Sequence, residues 1–359
     1  MASLALAALL LVGLVPTASA QPGASEAPQA PTTLTVGLGY IPNVQFAQFY
    51  LAEDAGYYEA AGLDVTFQNK VDPELITLLA QGTVDVGIAD GTSLIPAVSQ
   101  GIPVVYGATI YGTFPNVVLT RADSGIEVPA DLAGRSIGVP GRFGSSWIHL
   151  QALLASAGLT TDDVEVVTYP RFGQAIALAE GQVDAATGYI NNEPVQLARD
   201  GIAVDVLAVD DVAPLPGPGL VVGRSTLESK GQALRAFTAA TLRAMADIAA
   251  DPQLGLEATF RHVPELAADP ETQLAVLEAT IDAWMGGRGG PERIGAIDRD
   301  AWQSAVDIMT ALPDSVVAAP VTVDDLIKAT AVYSLIPEIL AEQAVTNTKA
   351  PSHEGIHER

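Results

Sequence analysis

Aromatic and hydrogen-bonding side chains are concentrated in five short segments, each of which follows a predicted β-strand. The segments are 39–46, 89–93, 111–116, 141–147 and 191–194. Aromatic residues make up only 6% of the chain, so their concentration in these segments predicts loops that contact a ligand. Rings stack on flat molecules, while hydroxyl, amide and carboxylate groups bind the polar edge of a ligand. The candidate binding residues are Tyr40, Asn43, Gln45, Asp90, Thr92, Ser93, Tyr111, Phe114, Arg142, Phe143, Ser145, Ser146, Trp147, Tyr189, Asn192 and Glu193.

These residue types suit a flat, uncharged, heteroaromatic ligand held in a largely apolar cleft. Other interpretations stay open at this point. Phe114, Phe143 and Trp147 are also ordinary core residues, and Ser145 or Ser146 is also an ordinary N-terminal helix cap. The glycine-rich turn before Ser145 resembles a cradle for a phosphate or carboxylate, although it lacks the lysine of a P-loop.

Candidate catalytic groups are few. His149 lies one helical turn beyond Ser146, but no acidic residue is placed to orient it, so a Ser-His-Asp triad is poorly supported. Asp90 and Glu193 could form an acid–base pair, although hydrogen-bonding a ligand is the commoner role for carboxylates in a binding cleft. The sequence has no close-spaced metal-binding motif and no cysteine. We therefore predict a binding protein rather than an enzyme, without metal or cofactor.

The elements that position these loops alternate between strand and helix, which predicts an α/β fold with mainly parallel sheets. Loops that follow parallel strands meet at one edge of a sheet, where ligands bind. The predicted strands are Leu34–Leu38, Asp64–Phe67, Val84–Ile88, Val104–Thr109, Ser136–Val139, Val164–Thr168, Ala185–Tyr189, Leu207–Asp210 and Leu220–Val222. Predicted helices are Gln45–Ala61, Asp72–Ala80, Leu94–Gln100, Ser146–Ala157, Phe172–Glu180, Gly231–Ala250, Pro270–Trp284, Ala301–Ala311 and Val323–Ala341.

One local pattern occurs twice. The segments 82–85 and 181–184 both read glycine, polar residue, valine, aspartate before a small-residue strand. In each, the glycine is expected to end a helix in the left-handed conformation. The repetition favours two Rossmann-like lobes of similar construction with a cleft between them. An ordinary two-domain α/β enzyme would share these features, so the fold alone does not fix the function.

The predicted lobe boundaries place residues 34–119 and 217–345 in lobe 1 and residues 120–216 in lobe 2. Hinges are expected near 119–121 and 216–220. Residues 1–20 resemble a secretory signal with a small-residue cleavage site, 21–33 a flexible linker, and 346–359 a disordered polar tail. These features predict an exported protein, located in the periplasm or at the outer face of the cytoplasmic membrane.

Composition limits the partners. The 359 residues carry a formal net charge of −25, which disfavours nucleic acid because phosphates would be repelled. The hydrophobic fraction of 49% is ample for two cores. We expect a monomer that binds a small aromatic molecule.

Several motifs, in order, resemble the thiamine-pyrimidine-synthesis-like substrate-binding proteins. They are Gly39–Ala52, Ala55–Tyr58, Ala61–Val65, Gly82 with Asp85–Gly87, Gln100–Val104, Asp131–Gly134 and Gly141–Gly144. The resemblance runs from about residue 34 to about residue 252. It implies a type II periplasmic-binding fold with the ligand between the lobes.

That family contains an enzyme class and a receptor class. The enzymes use a lysine, a histidine and a cysteine cluster, where this sequence has Ala89, Ser93 and 214–219. The resemblance therefore implies a receptor that delivers its ligand to an ABC transporter permease. The segments 72–103 and 111–116 resemble the riboflavin-binding receptors, and a thiamine pyrimidine precursor is the alternative ligand. Sulfonate or nitrate is disfavoured because Arg142 is the exceptional cation in these loops.

Two expectations about the mechanism follow from this interpretation. A ligand that contacts both lobes favours the closed form. Replacement of Tyr40 or Trp147 by alanine is expected to weaken binding without unfolding the protein.

Overall fold

The computed structural model describes residues 30–69, 74–286, 294–312 and 315–327. Its strands are β1 Thr32–Gly37, β2 Leu63–Gln68, β3 Val86–Ala89, β4 Val104–Thr109, β5 Asn116–Arg121, β6 Ser136–Val139, β7 Glu165–Thr168, β8 Ala185–Tyr189, β9 Val204–Ala208 and β10 Gly219–Gly223. Its helices are α1 Ala47–Asp54, α2 Tyr57–Ala60, α3 Glu74–Ala80, α4 Gly91–Ser99, α5 Gly144–Ser156, α6 Gln174–Ala179, α7 Glu193–Arg199, α8 Arg224–Ala250, α9 Pro252–His262, α10 Pro270–Met285, α11 Arg299–Ala311 and α12 Val323–Leu326. Short 3-10 turns, such as Val44–Phe46, lie between some of them.

The strands form two five-stranded sheets with the same internal plan. The first has the order β2-β1-β3-β10-β4 and the second β7-β6-β8-β5-β9. In each, three neighbouring strands are parallel, and one antiparallel strand, β10 or β5, separates them from the last strand. Four of five strands therefore run in one direction, which confirms the predicted α/β class with mainly parallel sheets. We call the residues around the first sheet lobe 1 and those around the second lobe 2.

The repeated Gly-polar-Val-Asp segment forms the same structure in both lobes. Gly82 and Gly181 have φ of 70° and 72°, as predicted for left-handed caps. Asp85 and Asp184 each accept a backbone N–H from the neighbouring parallel strand, from Thr35 in β1 and from the equivalent residue of β6, both at 2.9 Å. Asp85 thus joins the start of β3 to β1, and Asp184 joins the start of β8 to β6.

The two connections between the sheets lie at residues 110–115 and 209–218. The predicted boundary at residue 119, and the hinge predicted at 119–121, are wrong, because both fall inside β5, which belongs to the second sheet. The second predicted hinge overlaps the other connection. The error arose from the run Asn116–Arg121, whose apolar residues were not recognised as a strand.

Other differences are local. Residues Thr32 and Thr33 belong to β1 rather than to a linker, since they pair with Leu63 and Asp64 of β2. The predicted helix Gln45–Ala61 is divided near Gly56, whose φ is 70°. Helices α7 and α9 were not predicted. The signal segment 1–20, residues 21–29 of the linker, the tail 346–359 and most of the predicted helix Val323–Ala341 lie outside the described residues.

The hydrophobic core is continuous across the lobes on one side of the molecule. One cluster joins α4 of lobe 1 to α5 of lobe 2 and includes Trp302 of α11, which is fully buried. A second cluster packs α1, α8 and α9 on the first sheet. In the part of the chain that the structure describes, the helices include none with the length and apolarity needed to cross a membrane.

Candidate functional site

A cleft lies where the carboxyl ends of the parallel strands of both sheets face each other. Its volume is about 1090 Å³, the solvent-open mouth included. Residues after β1 and β3 line it from lobe 1, and residues after β6, β7 and β8 line it from lobe 2. This confirms that the loops after the parallel strands share one cavity. The lining is Leu38, Gly39, Tyr40, Gln45, Phe46, Ile88, Ala89, Asp90, Tyr111, Pro140, Phe143, Gly144, Ser145, Ser146, Phe172, Gln174, Gly188, Tyr189, Asn192, Glu193 and Pro218.

The lobe 1 wall is shaped by a tight turn after β1. Gly39 has φ of 69°, and a Cβ there would lie 2.8 Å from the Ile88 carbonyl oxygen, so the close approach to β3 requires glycine. Tyr40 follows directly and enters the cleft. Burial, and secondarily the charge of Glu193 in lobe 2, raises the pKa of Tyr40 to about 12. The Tyr40 hydroxyl is therefore neutral at physiological pH, available to donate or accept a hydrogen bond.

Asp90 places a carboxylate at the base of the lobe 1 wall. It is the N-cap of α4, and its Oδ1 accepts the Thr92 backbone N–H at 2.8 Å and the Thr92 hydroxyl at 2.5 Å. The residue is only 7% exposed. These bonds fix the carboxylate. Burial raises the pKa of Tyr189 on the other side of the cleft, and the charge of Asp90 is the second cause of that shift.

Lobe 2 contributes a linked set of polar groups. The hydroxyls of Ser145 and Tyr189 lie 2.9 Å apart, and Glu193 Oε2 accepts the Tyr189 backbone N–H at 2.7 Å. Burial raises the pKa of Glu193, while the bond from Tyr189 opposes that shift. The strand end β8 and the start of α7 thus hold a hydroxyl and a carboxyl group in fixed positions.

One buried amide was missed by the sequence analysis. Gln174 is 2% exposed, lines the cleft, and its Nε2 donates to the Thr187 carbonyl at 3.1 Å. Its Oε1 is buried and has no hydrogen-bond partner within the described ranges. Because unpartnered buried acceptors are costly, Gln174 is a strong candidate to accept a hydrogen bond from a ligand. No local motif marks it, since it is a single polar residue at the start of a short apolar helix.

Phe172 is also absent from the predicted site, because the sequence predicts a helix that starts at this residue. In the structure that helix begins two residues later, at Gln174. Phe172 is held in a turn and has φ of 59°. Its ring lies edge-on to that of Tyr40, with 5.1 Å between the ring centroids. The cleft therefore has an aromatic contact between its two walls.

Of the predicted candidates, ten line the cleft and six do not. The ten are Tyr40, Gln45, Asp90, Tyr111, Phe143, Ser145, Ser146, Tyr189, Asn192 and Glu193. Trp147 and Phe114 instead belong to the core, with 7% and 3% exposure. Phe114 packs on the ring of His149, with centroids 4.0 Å apart.

The remaining four candidates lie beside the cleft rather than in its lining. Asn43 caps the 3-10 turn before α1 by accepting the Gln45 N–H at 3.0 Å. Thr92 donates its hydroxyl to Asp90, and Ser93 follows it in α4. Arg142 is exposed and sits over the Trp147 ring, 5.3 Å from its centroid.

The geometry gives no support to a nucleophile–histidine pair. The Nδ1 of His149 bonds the Ser145 carbonyl at 2.8 Å rather than a serine hydroxyl. Burial lowers the pKa of His149 to about 4, so the ring is neutral and packed in the core. Among the described residues, no group of histidine and carboxylate side chains is arranged to bind a metal.

The electrostatic character of the cleft follows from its lining. The cleft-lining residues that the structure describes include Asp90 and Glu193 but no lysine, arginine or histidine. Such a site favours a neutral ligand with N–H or O–H donors over an anion.

Comparison with known proteins gives two relatives and one structural neighbour of particular interest. The chain is 34% identical over 315 residues to the riboflavin-binding protein RibY of Chloroflexus aurantiacus, which covers 86% of this chain and 89% of that protein. It is 29% identical over 240 residues to the formylaminopyrimidine-binding protein of Halalkalibacterium halodurans, which covers 65% of this chain and 72% of that protein.

The solved structure of the alkanesulfonate-binding protein SsuA from Xanthomonas axonopodis pv. citri, bound to MOPS, shares the fold. It superposes with a TM-score of 0.63 at 20% identity, covering 81% of this chain and 97% of that one. The two sheets and the cleft between them are therefore those of a periplasmic-binding fold, as predicted. Residues 43–254, more than half of the chain, match the sequence model of one family. The protein belongs to the NMT1/THI5-like family.

Proposed function

We propose that this protein is the extracytoplasmic receptor of an ABC importer and that it binds riboflavin between its two lobes. The observation that carries the proposal is the cleft itself, whose aromatic walls come from both lobes. Among the residues that the structure describes, its lining includes carboxylate and amide acceptors but no lysine, arginine or histidine. The 34% identity to a riboflavin-binding protein over most of both chains supports it.

Riboflavin matches the lining in shape and polarity. Its three-ring isoalloxazine is flat and largely apolar, so it can stack against rings such as Tyr40, Phe143 and Phe172. Its imide N–H and the hydroxyls of its ribityl chain are donors. The acceptors opposite them are Asp90, Glu193 and the buried Oε1 of Gln174.

A thiamine pyrimidine precursor is the second candidate, favoured by the relative that binds formylaminopyrimidine. Its amino group would suit the same acceptors. Riboflavin is the first candidate because the relative that binds it has the higher identity and matches a larger share of both chains.

The mechanism is closure of the lobes on the ligand. Tyr40 and Asp90 belong to lobe 1 and Glu193 and Gln174 to lobe 2, so a ligand contacts the full set only when the lobes are together. It therefore shifts the population toward the closed form, the form that would dock on a permease. In this proposal the protein is exported, acts as a monomer and catalyses no reaction.

The direct test is titration with riboflavin, followed by quenching of the flavin fluorescence, with the pyrimidine precursor as competitor. Saturable quenching at one ligand per chain supports the proposal. Tyr40→Ala should weaken binding about tenfold, since it removes one aromatic contact and the area it covers. Unchanged flavin emission at all protein concentrations would refute riboflavin as the ligand, and binding of the precursor alone would establish the second candidate.

A further inference from the structure

Tyr40 and Phe172 form an aromatic contact between the lobes, which we call the rim pair. Tyr40 follows β1 of lobe 1, and Phe172 lies between β7 and α6 of lobe 2. Their centroids are 5.1 Å apart and their planes are inclined at 79°, the edge-to-face geometry that aromatic pairs favour. The contact thus joins the two walls of the cleft directly.

Burial places the rim pair at the mouth of the cleft. On the lobe 1 side, Leu38 is 1% exposed and Ile41 is 51% exposed, with Tyr40 between them. On the lobe 2 side, Gln174 is 2% exposed while Arg171 is exposed, with Phe172 between them. Both rings therefore lie where the cleft passes from its buried interior to solvent.

The backbone of Phe172 is held in an unusual conformation. It is the one non-glycine residue in the described ranges with a positive φ, 59°, and its N–H donates to the Tyr169 carbonyl at 3.0 Å. Left-handed backbone is rare for bulky residues and persists only where surrounding contacts fix it. A glycine follows Phe172, but the strained position itself carries a large ring, and that ring meets Tyr40 of the opposite lobe.

The lobe 1 partner is fixed as well. Gly39 sets the turn before Tyr40, and the Asn69 side-chain amide donates to the Tyr40 carbonyl at 3.0 Å. Each ring is thus presented by its own lobe on a constrained backbone, and each lobe contributes one half of the contact.

We propose that the rim pair is a gate that shuts the mouth of the cleft and must part before a ligand enters or leaves. The pair stabilises the closed arrangement of the lobes by itself, so the protein samples the closed form without ligand. An edge-to-face pair of this kind changes an equilibrium by about two- to tenfold. Its loss should raise the ratio of open to closed molecules by that factor.

The test measures the separation of the lobes without any ligand. Because the natural sequence has no cysteine, nitroxide labels can be attached through Asp64→Cys in β2 and Glu165→Cys in β7, both exposed and distant from the rim. Double electron–electron resonance then reports the distribution of distances between the lobes. The expected result is a closed population that shrinks in Phe172→Asn, which removes the ring while asparagine tolerates a positive φ.

Two variants complete the design. Tyr40→Ser removes the other ring and should reduce the closed population by the same amount. The variant with both substitutions should have nearly the same closed population as either single variant, because each substitution alone abolishes the contact. Phe143→Ala is the matched control. This residue is 57% exposed, lines the same cleft, and its ring lies against Gly141 of its own lobe, so the distance distribution should not change.

The gate is refuted if the unmodified chain shows no closed population, or if neither Phe172→Asn nor Tyr40→Ser alters it while both proteins melt near the wild-type temperature. A kinetic readout rests on the proposed function. If the pair is a gate, its loss raises both the association rate and the dissociation rate of riboflavin. If the rings only contact the ligand, their loss raises the dissociation rate alone, and that result would refute the gate. If riboflavin does not bind at all, riboflavin is refuted as the ligand. The distance measurement still tests the gate, because it is made without any ligand.

Discussion

Replacement of Glu193 by glutamine is expected to change stability and binding in opposite directions. The carboxyl group lies at the start of α7, lines the cleft and accepts the Tyr189 backbone N–H at 2.7 Å. Glutamine has the same shape and retains an acceptor for that N–H. The substitution therefore removes a partly buried charge and leaves the local hydrogen bond in place.

The effect on stability follows from the pKa. Burial raises the pKa of Glu193 in the folded protein above its unfolded value, so the folded state binds the proton more tightly than the unfolded chain. Stability is then greatest below the unfolded pKa and falls as pH rises through the window between the two values. At pH 7, which lies above the unfolded pKa, the wild type is therefore less stable than it would be with this group protonated in both states. Glu193→Gln should consequently be more stable than the wild type at pH 7 and equal to it near pH 4.

The effect on binding has the other sign. Hydrogen bonds to a charged group contribute about 1.5–3 kcal/mol and neutral ones about 0.5–1.5 kcal/mol. Loss of the charge opposite a ligand N–H should therefore cost about 1 kcal/mol, which is roughly a fivefold rise in Kd.

Urea unfolding at the two pH values and flavin titration at pH 7 measure both effects. Glu180→Gln is the matched control, because that carboxylate is exposed and bonded to the neighbouring Gln182, and neither stability nor affinity should change by more than a few tenths of a kcal/mol. A Glu193→Gln protein that is less stable at pH 7, or that binds flavin as tightly as the wild type, would refute the role assigned to the carboxylate.

Three further predictions concern residues around the cleft. Trp147→Ala should destabilise the protein by about 3–5 kcal/mol, because the ring is in the core. A variant that keeps its stability but binds flavin tenfold more weakly would show instead that Trp147 contacts the ligand. The lowered pKa of His149, about 4, means that its protonation opposes folding, so stability should fall between pH 6.5 and 4 by roughly 3 kcal/mol at most. His149→Phe should reduce that acid sensitivity in urea titrations, and an unaltered pH profile would contradict the assignment. Gly39→Ala should lower the melting temperature and weaken flavin binding, because it displaces Tyr40. Gly62→Ala is the control, since Gly62 has a similar φ but open space around it. It should lower the melting temperature through backbone strain and leave the affinity for flavin unchanged.

The fold could be predicted because its construction is repeated and local. The segments 82–85 and 181–184 specify a cap and a strand start by residue type alone, and both form as predicted. Strand β5 was missed for a physical reason. Its interior position in the second sheet depends on pairing with β8 and β9. Those strands are about 65 to 90 residues away in the sequence, so the pairing leaves no local signal.

The site could be predicted to the level of loops but not of individual side chains. Ser145 and Ser146 line the cleft, while Trp147, the next residue of α5, is rotated by about 100° and enters the core. The sequence shows which helix begins at the cleft and not how that helix is turned. Phe172 is a sharper case, because its position depends on a left-handed turn and on a ring from the other lobe. Neither is visible in a single segment.

The similarity of the two sheets also explains where specificity can reside. Strands β1 and β3 of lobe 1 correspond to β6 and β8 of lobe 2, so both lobes present equivalent strand ends to the cleft. Equivalent scaffolds carry different groups there: Asp90 follows β3, whereas Tyr189 ends β8 and Glu193 begins α7. In the proposed function, the two walls therefore contact different edges of the ligand, and neither wall is a complete site. Because that ligand would gain both sets of contacts only on closure, the differences between these short loops would determine affinity and the closed population together.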